Sequence, residues 1–241
     1  MRGFRSYRVS LLATMSFLFL ISGSAASAAV ISNGSFEAAP VGSFAFNVPP
    51  AGWTQTATAT GRTVHTNAIG YTLGVPANLD GDQYLILETG GVGETVALSQ
   101  AISGGISAGE ALSLSALITP WDGGGPVDFG QATITYGFFA DAALTSALGT
   151  TVTVNLSTVN GGSAAVDEVL LNYGLASYTA TGAEGAIYAG AIQYQQANTT
   201  PSNRSRSAID LIAVNSAVVP VPATAWLLGS ALGLLGWMRR R

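Results

Sequence analysis

Any chemistry in this 241-residue chain has to come from carboxylates, amides and aromatic rings. It has no cysteine, which removes disulfides, thiol nucleophiles and thiolate metal sites together. His65 is the sole histidine, so multi-histidine metal clusters are excluded as well. A serine triad needs only one histidine, yet no nucleophile motif accompanies it, and we read His65 as a polar surface residue near Arg62. Asp167 and Glu168 are adjacent and in a strand would point to opposite faces, so nothing marks a carboxylate pair for hydrolysis. Two acids distant in the chain can still meet in space, which keeps glycan hydrolysis as an alternative. No glycine-rich phosphate loop follows a strand and opens a helix. The expectation is a protein that is not an enzyme.

Two tryptophans stand in loop sequence. Trp121 leads Asp122-Gly123-Gly124-Gly125-Pro126, a flexible loop expected to face solvent between two strands. Trp53 follows Gly52. Sugars present apolar C–H faces that stack on aromatic rings, while Asp, Asn and Gln take their hydroxyls. Trp53 and Trp121 are therefore the candidate glycan contacts. The competing reading folds each ring back to cover one end of the domain. Asp80-Gly81-Asp82 precedes a strand and reads as a tight turn, with a bound cation as the alternative.

The elements that would position these groups are strands. Gly, Ser, Thr and Ala dominate, lysine is missing, and short alternating stretches recur between glycine-marked turns. Segments 83–88, 95–100, 111–118, 132–139, 151–156, 186–194 and 208–214 carry this pattern. Ile134, Tyr136 and Phe138 fall on one face, as do Val152, Val154 and Leu156. About eight strands over this length favour an all-β, antiparallel two-sheet sandwich. Residues 198–205 read as a loop before the last strand.

Charge separates the middle of the chain from its ends. Six of the nine arginines lie at the termini, leaving Arg62, Arg204 and Arg206 against all thirteen acids, a balance of −10. Such a surface repels nucleic acid and anionic lipid, so no nucleic-acid partner is expected. Divalent cations are natural company for so many carboxylates, although solubility alone also accounts for them.

The ends read as addresses. Arg2, Arg5 and Arg8 precede an apolar run from Val9 to Ile21, and Ala26-Ser27-Ala28 offers a small-residue cleavage site, so 1–28 is expected to be a signal peptide. At the other end Val219-Pro220-Val221-Pro222-Ala223 precedes an apolar span closed by Arg239, Arg240 and Arg241. As a helix, Ala223 to Met238 covers roughly 24 Å, short of the roughly 30 Å hydrocarbon core. It suits a span that is briefly tolerated and then processed, or one that thins the bilayer. The arginines favour a transmembrane helix over an amphipathic tail, because a positive cluster after an apolar run acts as a stop. The expected division is 1–28 signal peptide, 29–214 folded domain, 215–218 linker and 219–241 tail.

The tail resembles the PEP-CTERM protein-sorting signal in its V-P-x-P-A variant, with Val221 in place of the glutamate of the name-giving form. That resemblance implies export across the inner membrane and transient anchoring. An exosortase-type membrane protease would then remove the tail, and a signal peptidase the leader. The destination would be the outer surface or a matrix containing extracellular polysaccharide.

A second resemblance covers the domain. Ile31-Ser32-Asn33-Gly34-Ser35-Phe36-Glu37 with Pro50-Ala51-Gly52-Trp53 resembles the first strand and first loop of galactose-binding-like jelly rolls, which include many carbohydrate-binding modules. Asp80-Gly81-Asp82-Gln83-Tyr84-Leu85 with Leu98-Ser99-Gln100, and Ile209-Asp210-Leu211-Ile212-Ala213-Val214, resemble their later landmarks. It implies first and last strands lying side by side. A structural Ca²⁺ would sit there on Glu37 and Asp210 with backbone carbonyls, and Asn33 would contribute its side-chain carbonyl; such a hard cation accepts main-chain oxygens readily. The functional expectation is a non-catalytic exported envelope or matrix protein, with a carbohydrate-binding module holding a defined glycan pocket as the alternative.

Overall fold

The computed structural model describes residues 30–59, 61–69, 75–76, 78–121, 132–156, 169–196, 204–218 and Gly236. Twelve strands follow in chain order: β1 (Phe44–Phe46), β2 (Thr54–Ala57), β3 (Arg62–Asn67), β4 (Gln83–Thr89), β5 (Thr95–Ala101), β6 (Glu110–Pro120), β7 (Ala132–Phe139), β8 (Ala147–Asn155), β9 (Leu171–Asn172), β10 (Ala176–Thr179), β11 (Tyr188–Gln195) and β12 (Ser205–Val218). Their lateral order is β1-β3-β4-β12-β6-β10-β8-β7-β11-β5-β2, with β9 attached to β6 off that path. Every pairing is antiparallel.

One sheet therefore curls over on itself. The first leaf, β1-β3-β4-β12-β6-β10, meets the second, β7-β11-β5-β2, through β8, which touches β10 at Ser177↔Thr150 and runs along β7 on its other side. The protein is an all-β jelly-roll sandwich. Period-two alternation places Leu112, Leu114, Ala116 and Ile118 of β6, Ile134, Tyr136 and Phe138 of β7, and Val96 and Leu98 of β5 in the space between leaves, all buried. Leu85, Leu87 and Ile209 complete that core from β4 and β12.

A second, smaller core lies on the opposite face of the first leaf. Val64, Tyr84, Ile86 and Ala208 alternate with the inward residues of β3, β4 and β12, and Trp121 and Leu170 cover them. All seven residues of β4 are consequently buried, which explains why its sequence lacks a polar stripe. Asn78 fastens the covering layer by a reciprocal pair of hydrogen bonds with the Leu170 backbone, at 2.9 and 2.7 Å.

Several expectations need correction. Residues 31–37 are turns, not a strand; Asn33 and Phe36 take positive φ (55° and 63°), which breaks the extended ladder. The segment nevertheless lies against the last strand, since the Ile212 N–H donates to the Gly34 carbonyl at 2.9 Å. Residues 215–218 are not a linker: β12 runs in register with β6 from Ala213 to Val218. His65 is not on the surface but buried in β3. The extra strands β1, β2, β3, β9 and β10 are short or rich in polar residues, so hydrophobic alternation does not announce them. Among the described residues no helix is long and apolar enough to cross a membrane. The signal residues Ala26 and Ala28, the sorting residues Val219, Pro220, Val221, Pro222, Ala223, Arg239, Arg240 and Arg241, and Asp122, Asp167 and Glu168 lie outside the described residues.

Candidate functional site

The acidic corner forms where the turn after residue 31 meets β4 and the bulge of β12. Glu37 Oε1 accepts the Asp82 and Gln83 N–H groups at 2.9 and 2.7 Å. Gly81 sits at φ 95°, and a Cβ there would run into the Glu37 carboxylate, so the glycine of Asp80-Gly81-Asp82 is what lets the two segments close. Asp210 Oδ2 accepts the Asp80 N–H at 2.8 Å and Oδ1 the Leu211 N–H at 2.7 Å. Asp210 is fully buried. Burial pushes its carboxyl up to about 7; the two N–H donors oppose this, and the charges of Asp80 and Glu37 add to it.

Glu37 and Asp210 thus share one corner. Asn33 takes a different job: its Oδ1 accepts the Ala38 N–H at 2.8 Å and its Nδ2 donates to the Ala51 carbonyl at 3.1 Å. Among the described residues no three His, Cys, Asp or Glu side chains converge closely enough to hold a metal between them. His65 lies nearby. Burial lowers its pKa, offset in part by the Phe36 backbone and the Glu37 charge, and its Nε2 is buried without a hydrogen-bond partner among the described residues.

Neither tryptophan offers a stacking face. Trp53 is 5% exposed; its ring meets Phe36 edge-on at 5.6 Å and its Nε1 donates to the Asn33 carbonyl at 2.9 Å. Trp121, also 5% exposed, packs in the smaller core beneath the Arg206 guanidinium, 5.6 Å from the ring centre. The solvent-facing reading of Trp121 is overturned. Trp53 folds into the main core between the leaves, and Trp121 folds onto the outer face of the first leaf, not over an end of the sandwich.

The arrangement that composition alone does not reveal lies at the opposite end of β4. Arg62, Glu88 and Arg206 are register partners across β3, β4 and β12, and Arg204 precedes that row. Glu88 Oε1 accepts Arg62 Nε and Arg204 Nη1, and Oε2 accepts Arg206 Nε, each at 2.6 Å. All three cations of the region between the terminal segments meet on one carboxylate. Burial pushes the Glu88 carboxyl up, but the Arg62 hydrogen bond and the charges of Arg206 and Arg62 outweigh it and hold it below the usual range. The four groups together carry +2, within a region whose balance is −10.

Aromatic surface continues from this cluster. The Arg62 guanidinium lies 4.3 Å from the centre of the Phe46 ring, a cation–π contact, and Phe46 meets Phe44 at 5.1 Å. These rings of β1 are 47% and 46% exposed, so here exposed aromatic surface adjoins polar groups. Beneath it, Gln193 Nε2 donates to Thr89 Oγ1 and the Ser205 carbonyl, Thr89 Oγ1 donates to Gln195, and Ser207 donates to Gln193. That buried network joins β11 to β4 and β12 and gives the cluster a rigid floor. The sequence signal was limited to Arg62, Arg204 and Arg206 being the only cations between the terminal segments; their meeting on Glu88 follows from sheet order.

No family profile and no curated protein matches the chain. Among solved structures it is similar to the carbohydrate-binding module TmCBM61 in complex with β-1,4-galactotriose, with 12% identity over 78% of this chain and 98% of that one and a TM-score of 0.43. It is also similar to the CBM22-1 xylan-binding domain of Paenibacillus barcinonensis Xyn10C, with 13% identity over 76% and 100% and a TM-score of 0.37. The enzymatically active domain of bacteriophage CBA120 tailspike protein 4 matches with 14% identity over 78% of this chain and a TM-score of 0.44; the chain spans about a fifth, 21%, of its length. At such identities and scores the likeness transfers no function.

Proposed function

We propose that this protein is a non-catalytic glycan-binding module, and that its binding surface is the Phe44–Phe46 edge with the arginine cluster beside it. The supporting observation is the pairing of half-exposed aromatic rings with directional donors at one sheet edge. Rings bury the apolar face of a sugar while guanidinium N–H groups take its oxygens. The test is titration against a panel of glycans with the parent and Phe46→Ala. Saturable binding weakened in the variant supports the reading, and flat titrations across the panel assign a purely structural role instead. Release of reducing ends from any panel member would replace it with a hydrolase.

Two subordinate proposals accompany it. Ca²⁺ would sit at the acidic corner, held by Glu37, Asp210 and neighbouring carbonyls, with Asn33 excluded because its side chain knits its own loop. Support comes from a buried carboxylate whose ionisation the charges of Asp80 and Glu37 oppose. Adding Ca²⁺ should then raise the melting temperature by mass action, and the rise should vanish in Asp210→Ala; an unshifted parent would discard the ion. For residues 1–28 and 219–241, export, signal-peptidase cleavage, anchoring and exosortase-type processing rest on the sequence motifs. The mass of the mature protein in its own host, expected to lack both segments, checks them.

A further inference from the structure

We infer that the Arg62–Arg204–Arg206 cluster selects an acidic sugar, specifically the carboxylate of a uronic acid, within the glycan reading proposed above and resting on it. A structural glutamate in a sheet is neutralised by one arginine. Here Glu88 gathers three, each through a single recorded nitrogen–oxygen pair at 2.6 Å, and the four groups retain +2. Arg206 is tied to the smaller core through the Trp121 ring, so the ligand-facing charge falls to Arg62 and Arg204. They gather charge of the sign that the rest of the domain lacks.

Accessibility supports a ligand-facing role. Arg204 keeps 38% of its side chain exposed and Arg62 keeps 29%, whereas Glu88 is buried beneath them. Among the described residues Arg62 uses Nε and Arg204 uses Nη1 toward Glu88. The remaining edge of a guanidinium fork matches a planar carboxylate. The Arg62 guanidinium lies over one face of the Phe46 ring, 4.3 Å from its centre, so a sugar packed against the exposed remainder of Phe44 and Phe46 would bring a carboxylate at its rim toward the outer edge of that guanidinium. The overall negative balance disfavours long polyanions, but fields beyond roughly 8 Å are screened at physiological salt, so a short acidic oligosaccharide at the cluster meets chiefly the local positive charge. A short-range, charge-matched subsite on an acidic body is thus physically consistent.

Calorimetric titration of the full chain, kept in mild detergent because of its apolar segment at 223–238, tests this with three probes. They are a galacturonate oligosaccharide, its methyl ester, which keeps the shape and loses the charge, and a neutral galactan oligosaccharide. Losing charge-assisted hydrogen bonds should weaken the ester about tenfold or more relative to the acid. Arg204→Gln and Arg62→Gln should each weaken the acid more than the ester, bringing the acid-over-ester ratio toward one. Either variant keeps two guanidiniums on Glu88, and a thermal melt checks that it folds. Acid and ester binding alike, or the galactan binding best, would overturn the acidic selectivity while leaving the glycan reading intact. No binding by any probe or by the wider panel would overturn both. Dextran sulfate as a fourth probe separates the two acid chemistries: preference for it over galacturonate would overturn the carboxylate assignment.

Discussion

Replacing Asp210 by asparagine should stabilise the protein in alkaline solution and destabilise it in acid. Asp210 is fully buried and its carboxyl is pushed up to about 7, against about 3.9 in an unfolded chain. The folded state therefore holds a proton that the unfolded state has already released. Stability is fully present below about pH 4 and is lost as pH rises through about 7. At about 1.36 kcal/mol for each unit, the ionised form costs the fold about 4 kcal/mol once pH exceeds 7. Asparagine escapes that cost, but it turns an amide donor toward either the Asp80 or the Leu211 N–H, which now meet carboxylate oxygens. Such a mismatch costs about 1–3 kcal/mol. The variant should be more stable by about 1–3 kcal/mol near pH 8 and less stable by a similar amount near pH 4. Urea unfolding followed by tryptophan fluorescence, in chelator to remove Ca²⁺, measures both. A variant weaker than the parent at both pH values would refute the account of a buried, unneutralised carboxylate.

Other expectations concern the scaffold. Glu88→Gln leaves three guanidiniums facing one another without their anion and should cost about 3–5 kcal/mol, measured by urea unfolding at neutral pH. Because the Glu88 carboxyl is held low, its contribution persists above about pH 4 and disappears only in stronger acid. Gly81→Ala forces a side chain into a left-handed backbone and against Glu37, and should lower stability by about 1–3 kcal/mol. Trp53→Ala should lower it by about 3–5 kcal/mol while leaving glycan titrations unchanged in folded protein; a binding loss without a stability loss would return that ring to the ligand surface.

How much of this was readable in advance varied with the kind of residue. The long strands announced themselves because β6 and β7 bury one face, and Leu112, Leu114, Ile134, Tyr136 and Phe138 alternate accordingly. The edge strand β1 has only three residues, and its exposed phenylalanines mimic a loop. Trp53 follows Gly52 and Trp121 leads a glycine-rich loop, and local sequence does not say whether a ring turns outward or folds under. His65 was misplaced for a related reason: β3 reads Arg-Thr-Val-His-Thr-Asn, polar apart from Val64, yet four of its six residues are buried. The arginine cluster brings residue 62 to residues 88, 204 and 206, and only sheet order supplies that meeting. The approach of Glu37 to Asp210 was expected from a resemblance. The left-handed turn at Gly81 that admits Glu37 was not.

The ladder between β12 and β6 has a mechanical meaning. From Ala213 to Val218 each residue of β12 has a partner on β6, and antiparallel hydrogen bonds stand perpendicular to the strand. A pull applied at residue 218 along the chain would strain the whole row together instead of opening it one rung at a time. Traction from that direction would meet the domain in shear, its stiffest response, before any other strand felt it.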